Sequence, residues 1–174
     1  MKQLFAALCL AVLSVASATA SDTRDPSSHF FHESFGDFSE ELELARDEGK
    51  SGVVIFFEMD DCPFCHWMKQ HVLNQREVQD YFREHFQVYV VDVDGGIEVV
   101  DFDGRRMSQQ DFAFREHRVR ATPVTIFFDL EGNAVHRFTG RTADADEFLL
   151  MGHFVKEGIY KEMRFARYKR EQQE

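Results

Sequence analysis

The sequence is short of positive charge, of cysteine and of long apolar runs, and each shortage narrows what the protein can do. Lys and Arg number 20 against 31 Asp and Glu, for a formal charge of −11. Phosphate binding needs a surplus of cations on at least one face, so this balance argues against nucleic acid as a partner. The only basic run, Arg164 to Arg170, is diluted by Phe165, Ala166 and Tyr168 and reads as a solvated, partly helical tail. No internal repeat or low-complexity segment occurs. The acidic residues Asp92, Asp94, Asp101 and Asp103 lack the Gly and terminal Glu of an EF-hand and read as a solvated loop. What is present, 44% hydrophobic and 29% charged residues over 174 positions, is enough for one ordinary globular domain.

The one long apolar stretch is N-terminal. Lys2 precedes Leu4 to Val15, and Ala18-Thr19-Ala20 supplies the small-x-small pattern that signal peptidase accepts. A bilayer-spanning helix needs about 20 apolar residues, and this run is shorter. Cys9 sits inside the stretch after Leu8, which does not suit a lipoprotein. Residues 1–20 are therefore expected to be a signal peptide cleaved near Ala20, with a periplasmic or otherwise exported product. The remaining expectation is a flexible lead-in at 21–36, a folded domain at 37–162 and a polar C-terminal tail at 163–174.

Cleavage changes the cysteine count from three to two, Cys62 and Cys65. A disulfide across so short a loop stabilises by only roughly 2 kcal/mol on the chain-entropy model. Exported domains stapled by disulfides spread several over distant segments. An isolated adjacent pair points to a reactive site instead.

Periodicity supplies the frame. Phe38, Leu42 and Ala45 predict a helix that stops near Gly49. Val53-Val54-Ile55-Phe56-Phe57 predicts a strand buried on both faces, and a helix follows through Trp67, Met68, His71 and Val72. A second helix over 77–85 leads to a strand at 87–92. Ile97 to Phe102 with Asp103-Gly104 predicts a small extra hairpin or loop, and Ser108 can cap a helix from Gln109 to about His117. Val124 to Phe128, the turn Glu131-Gly132-Asn133 and Ala134 to Phe138 predict an antiparallel hairpin, followed by a helix over 144–156. The fold class is α/β: a central mixed sheet with helices on both faces and a small insertion before the third core helix.

Asp60-Asp61-Cys62-Pro63-Phe64-Cys65-His66 falls at a strand-to-helix junction. The first N–H groups of a helix lack intrahelical partners, so a thiolate at Cys62 would accept their hydrogen bonds and gain from the dipole. Pro63 suits the first helical position because it has no N–H and its φ is already helical. Cys65 lies one turn deeper on the same face. Cys62 is thus the expected nucleophile and Cys65 the resolving thiol. His66, if protonated, would favour the thiolate, whereas Asp60 and Asp61 would oppose it. Phe64, between the cysteines, is expected to be exposed and able to touch substrate.

Val53–Phe57, the Cys-Pro-Phe-Cys sequence, Thr122-Pro123 and the hairpin around Gly132 together resemble a thioredoxin-fold protein over roughly Phe38 to Tyr160. The nearest subgroup is the periplasmic SoxW-like thioredoxins and their relatives near the disulfide isomerases, which resemble this chain in Cys-Pro-aromatic-Cys, in Thr before the proline and in an extra segment like Ile97 to Met107. The resemblance implies a cis Thr122–Pro123 bond whose backbone docks substrate as an added strand. It also implies protein thiol–disulfide oxidoreductase activity in the reducing direction. No cofactor is expected. Disulfide-bearing proteins would be substrates, a membrane thiol-electron transporter the reductant, and the protein a monomer.

The sequence departs from cytosolic thioredoxins, where Trp-Cys-Gly-Pro-Cys is usual, in having Asp61 before Cys62. The buried Asp that assists proton transfer there falls at Phe56, and Glu58 is the nearest replacement, although its strand-end position reads as an ordinary carboxylate exposed to water.

Two other readings use the same residues. Cys62-Pro63-Phe64-Cys65-His66 is also a literal C-x-x-C-H, the attachment motif of c-type haem, with His66 as an axial ligand. A thioredoxin-fold binding module that merely keeps its cysteines is the non-enzymatic alternative. Zinc fits poorly, because there is no second cysteine pair to complete four ligands. Trp67 and His71 read as helix-packing or partly buried residues, and most of the nineteen Phe residues as core.

Overall fold

The structure is a computed structural model and describes residues 23–173. The expected signal peptide lies outside the described residues. Strand β1 (Val53–Glu58) is central: it pairs in parallel with β2 (Gln87–Asp92) and antiparallel with β5 (Val124–Phe128), which pairs with β6 (Ala134–Thr139). The sheet order is β2-β1-β5-β6. The apolar run in β1 is continuous because both of its faces are covered. Val54 and Phe56 enter one core, and Val53, Ile55 and Phe57 the other.

The first core is closed by α3 (Pro63–His71), α4 (Arg76–His85) and α6 (Ala145–Lys156), through Met68, Val78, Phe82, Phe148, Met151 and Phe154. The second is closed by α2 (Phe38–Asp47), a hairpin of β3 (Glu98–Val100) and β4 (Arg106–Ser108), and α5 (Gln109–Asp111), which widens into a π-helical turn at Phe112–Glu116. Caps fix the helix starts. Asp37 accepts from the N–H groups of Ser39 and Glu40, Ser108 from Asp111, and Asp144 from Glu147. Gly52 allows β1 to lie against β5: a Cβ there would stand 2.0 Å from the Phe128 carbonyl oxygen.

Three expectations change. The lead-in is not loose. Thr23 bridges Gln75, α1 (Pro26–His29) is capped by Asp25, and Phe30 and Phe31 are buried in the first core. The Phe30 ring packs 5.7 Å from Phe82 and 5.9 Å from Phe148. At the other end, a 3-10 turn at Ile159–Lys161 precedes α7 (Phe165–Glu171), which buries Phe165 and Tyr168 against Phe154, so it closes the core rather than trailing into solvent. Finally, Asp101 is not solvated. Its carboxylate is buried and accepts the N–H groups of Asp103 and Arg105, holding the turn between β3 and β4.

Three histidines are built into this interior. Burial pushes His32, His117 and His136 down to about 4, helped at His117 by Arg137 and at His32 by Arg83 and Lys50. The His32 Nδ1 accepts the Val88 N–H, a bond that its protonated form cannot make. His136 is ringed by Phe127, Phe154 and Phe165.

Two outcomes follow from the packing. Phe30→Ala should destabilise the fold by about 3–5 kcal/mol in urea unfolding, whereas a flexible lead-in would leave stability unchanged. Because the unfolded histidines bind protons near pH 6.5 and the folded ones only near 4, stability is full above pH 6.5 and lost as pH falls through that window. The free energy of unfolding should therefore be lower at pH 5 than at pH 7, and His136→Phe should reduce the difference.

Candidate functional site

The site forms where β1 ends. Glu58 is opposite Asp92 in the last pair of the parallel ladder, and Met59-Asp60-Asp61 turns the chain into α3. Cys62 is the N-cap of that helix, with extended backbone, and Pro63 occupies its first turn. The Cys62 sulfur accepts the Cys65 N–H at 3.0 Å, filling one of the vacancies that every helix start leaves. The two cysteines are joined in a disulfide, and both are buried: Cys62 is 4% exposed and Cys65 1%. The difference is small, with Cys62 the slightly more exposed residue. Phe64 between them is 55% exposed, as its position suggested.

His66 is exposed and its Nε2–H donates to the Asp60 carbonyl at 2.8 Å, so the ring pins the turn that carries Asp60 and Asp61. Both of those carboxylates are exposed. Glu58 is not the water-exposed carboxylate its strand-end position suggested. Its side chain is 18% exposed and ion-paired with Lys69 of α3 at 2.6 Å. Phe56, two residues back on the same face, is part of the apolar core. A cleft of about 670 Å³ opens beside His66, Lys69 and Glu58, with Pro26, Phe31 and Val90 among its walls.

The antiparallel register sets Phe57 opposite Val124, which brings Thr122-Pro123 to the end of the sheet where the cysteine loop departs. The Thr122–Pro123 bond is cis and Pro123 is buried. A third segment completes the neighbourhood. The Gly140 N–H donates to the Pro123 carbonyl at 2.8 Å. Next to it, the Arg141 guanidinium lies 4.3 Å over the Trp67 ring. Thr142 is buried, with its N–H and hydroxyl 3.4 and 3.5 Å from the Met68 sulfur. Trp67 is half-buried and also stacks on the exposed His71 ring at 5.0 Å.

Lys69, Arg141 and Thr142 were not singled out by sequence. No motif marks them, because their place depends on which helix face meets the sheet and on where the β5–β6 hairpin ends.

The arrangement can do thiol–disulfide chemistry: two sulfurs within bonding distance, one capping a helix, beside a proline loop. Comparison with known proteins agrees. The family model described as a thioredoxin-like domain matches residues 38–156, more than half of the chain. Against curated protein sequences no significant match is found. Among solved structures, a thioredoxin-fold protein from Helicobacter pylori is similar with a TM-score of 0.63 and 21% identity, covering 72% of this chain and 86% of that one. An oxidoreductase named DsbH matches with a TM-score of 0.57 and 16% identity over 75% of this chain and 89% of that one. At such identities both speak to the fold alone. A thioredoxin from Thermus thermophilus is 30% identical, with a TM-score of 0.55 over 72% of this chain and 90% of that one. Family model, fold and the spacing of Cys62 and Cys65 agree: the chain belongs to the thioredoxin-like domain family.

Proposed function

We propose that the protein is an exported thiol–disulfide oxidoreductase that reduces disulfides in partner proteins. The observation that carries this reading is the Cys62 sulfur at the start of α3, bonded to Cys65 and accepting its N–H. In the dithiol form the same N–H and the helix dipole stabilise a Cys62 thiolate. That thiolate attacks one sulfur of a partner disulfide. The partner's S–S bond breaks, a mixed disulfide forms on Cys62, and one partner thiolate leaves. Cys65, after losing its proton, attacks the Cys62 sulfur and releases the second thiolate. Two electrons have then passed to the partner, and the product is the Cys62–Cys65 disulfide seen here.

Thr122 presents backbone for an extended partner segment, with Pro123 fixing its position through the cis bond and the Gly140 contact, and Phe64 offers the segment an apolar contact. The Glu58–Lys69 ion pair lines the cleft beside His66 and is not a direct counterpart of the cytosolic thioredoxin Asp, whose place Phe56 fills. His66 and Asp61 tune the loop from outside. Return to the dithiol needs a two-electron donor, which for an exported protein is a membrane thiol-electron transporter. The signal peptide expected over residues 1–20 is what supports export, and the reducing direction is taken from the resemblance of Cys62-Pro63-Phe64-Cys65 and Thr122-Pro123 to thioredoxins. The protein acts as a monomer without a cofactor.

Insulin reduction by dithiothreitol should be accelerated by the wild type and not by Cys62→Ser; equal turbidity from both would leave only a binding module. The reduction potential of the pair, measured against glutathione, should lie near that of thioredoxin, about −270 mV. A value near about −120 mV, that of a strong oxidant, would overturn the reducing direction.

A further inference from the structure

No basic run in the sequence marks Arg118, Arg120, Arg137 or Arg141, yet the fold links the segments that carry them: the loop before Pro123, the middle of β6 and the residue after Gly140. Arg118 and Arg120 lie on the loop leading into Thr122-Pro123. Arg137 on β6 reaches across to that loop, donating to the carbonyls of His117 at 2.6 Å and Arg118 at 3.4 Å. Arg141 follows Gly140, which is bonded to Pro123, and covers Trp67 of the redox helix. All four are exposed. Among the described residues, none of the four has a carboxylate partner: their contacts are backbone carbonyls and an aromatic ring.

Acidic residues are in excess, and Lys69, Arg76, Arg105, Arg106 and Arg115 are each ion-paired. Arg118 is, in addition, the one non-glycine residue among those described with a positive φ, 52°, a conformation that a side chain adopts at a cost. On the other side of Cys62, the exposed Asp60 and Asp61 carry the opposite sign. The segments that meet at this end of the sheet therefore carry opposite signs: exposed arginines before Pro123 and after Gly140, exposed carboxylates on the cysteine loop.

We propose that these arginines form the docking face for an acidic segment flanking the disulfide of the partner protein. The inference rests on the oxidoreductase reading and names the partner's chemistry. A segment lying along the Pro123 loop to reach Cys62 passes Arg118 and Arg120 on one side and Arg141 on the other. Guanidinium groups bind carboxylates through paired N–H donors, and unpaired ones keep those donors available. Clustered cations also steer the encounter, and they do so against a chain whose total charge repels acidic partners. The overall charge of −11 thus predicts the opposite preference, so the sign of the result separates the local face from the global field.

The test uses the reduced protein and two cystine peptides that differ only in having Asp-Asp or Lys-Lys beside the disulfide. At low salt the acidic peptide should be reduced about tenfold faster, and the gap should close at high ionic strength. The triple variant R118Q/R120Q/R141Q should bring the ratio of the two rates close to one. The double variant R164Q/R170Q, which removes as exposed a charge elsewhere, should keep the preference. Equal rates for both peptides with the wild type, or an unchanged ratio in the triple variant, overturns the docking face alone. Failure to reduce either peptide or oxidised glutathione overturns the oxidoreductase reading, and the docking face with it.

Discussion

A helix begins with N–H groups that have no partner inside it, and at α3 the Cys62 sulfur takes one of them. Most of the site depends on that contact. It sets Cys62 as the cap rather than the first helical residue, so Pro63 enters the helix without wasting a donor. Cys65 then comes one turn further in, with its sulfur against its partner and its own N–H on that partner's sulfur. The cap is held from both sides: His66 grips the Asp60 carbonyl before it, and the buried end of β1 fixes where the turn starts. Because both sulfurs lie at the rim of a core lined by Phe31, Phe56 and Met68, the pair cannot drift without disturbing the packing beneath it.

The sheet supplies the second constraint. The antiparallel pairing of β1 with β5 sets Pro123 at the same end as Cys62, and the β5–β6 hairpin returns Gly140 to the Pro123 carbonyl. Three chain segments far apart in sequence thus meet around one disulfide. Arg141 on Trp67 and Thr142 on Met68 lock the last of them onto the redox helix itself. The electrostatics follow this geometry. Asp60 and Asp61 lie on the cysteine loop, and Arg118, Arg120 and Arg141 on the segments that lead into Pro123 and away from Gly140.

Much of this was readable before any coordinates. Val53–Phe57 and Val124–Phe128 announce themselves because strands covered on both faces need unbroken apolar runs, and Ser108 marks a helix start because caps are local chemistry. Cys62, Pro63 and Cys65 were legible for the same reason: their places at the helix start depend on neighbours within one turn. What escaped was non-local. Phe30 and Phe31 sit in a polar stretch whose composition reads as loose, and only the surface offered by Phe82 and Phe148 makes it fold back. Phe165 and Tyr168 are likewise buried by Phe154 and not by any pattern of their own. Glu58 looked solvent-facing until Lys69, carried in by the following helix, covered it. The arginines were invisible as a group because the hairpin, not the sequence, brings them together.

The proposed mechanism has Cys62 attack and Cys65 resolve. Trapping reads that order directly. A Cys65→Ser protein offered a cystine peptide should accumulate a stable mixed disulfide, and peptide mapping should place the adduct on Cys62. If instead Cys62→Ser traps the peptide equally well through Cys65, the sulfurs have no fixed order and the cap at α3 does not select the nucleophile.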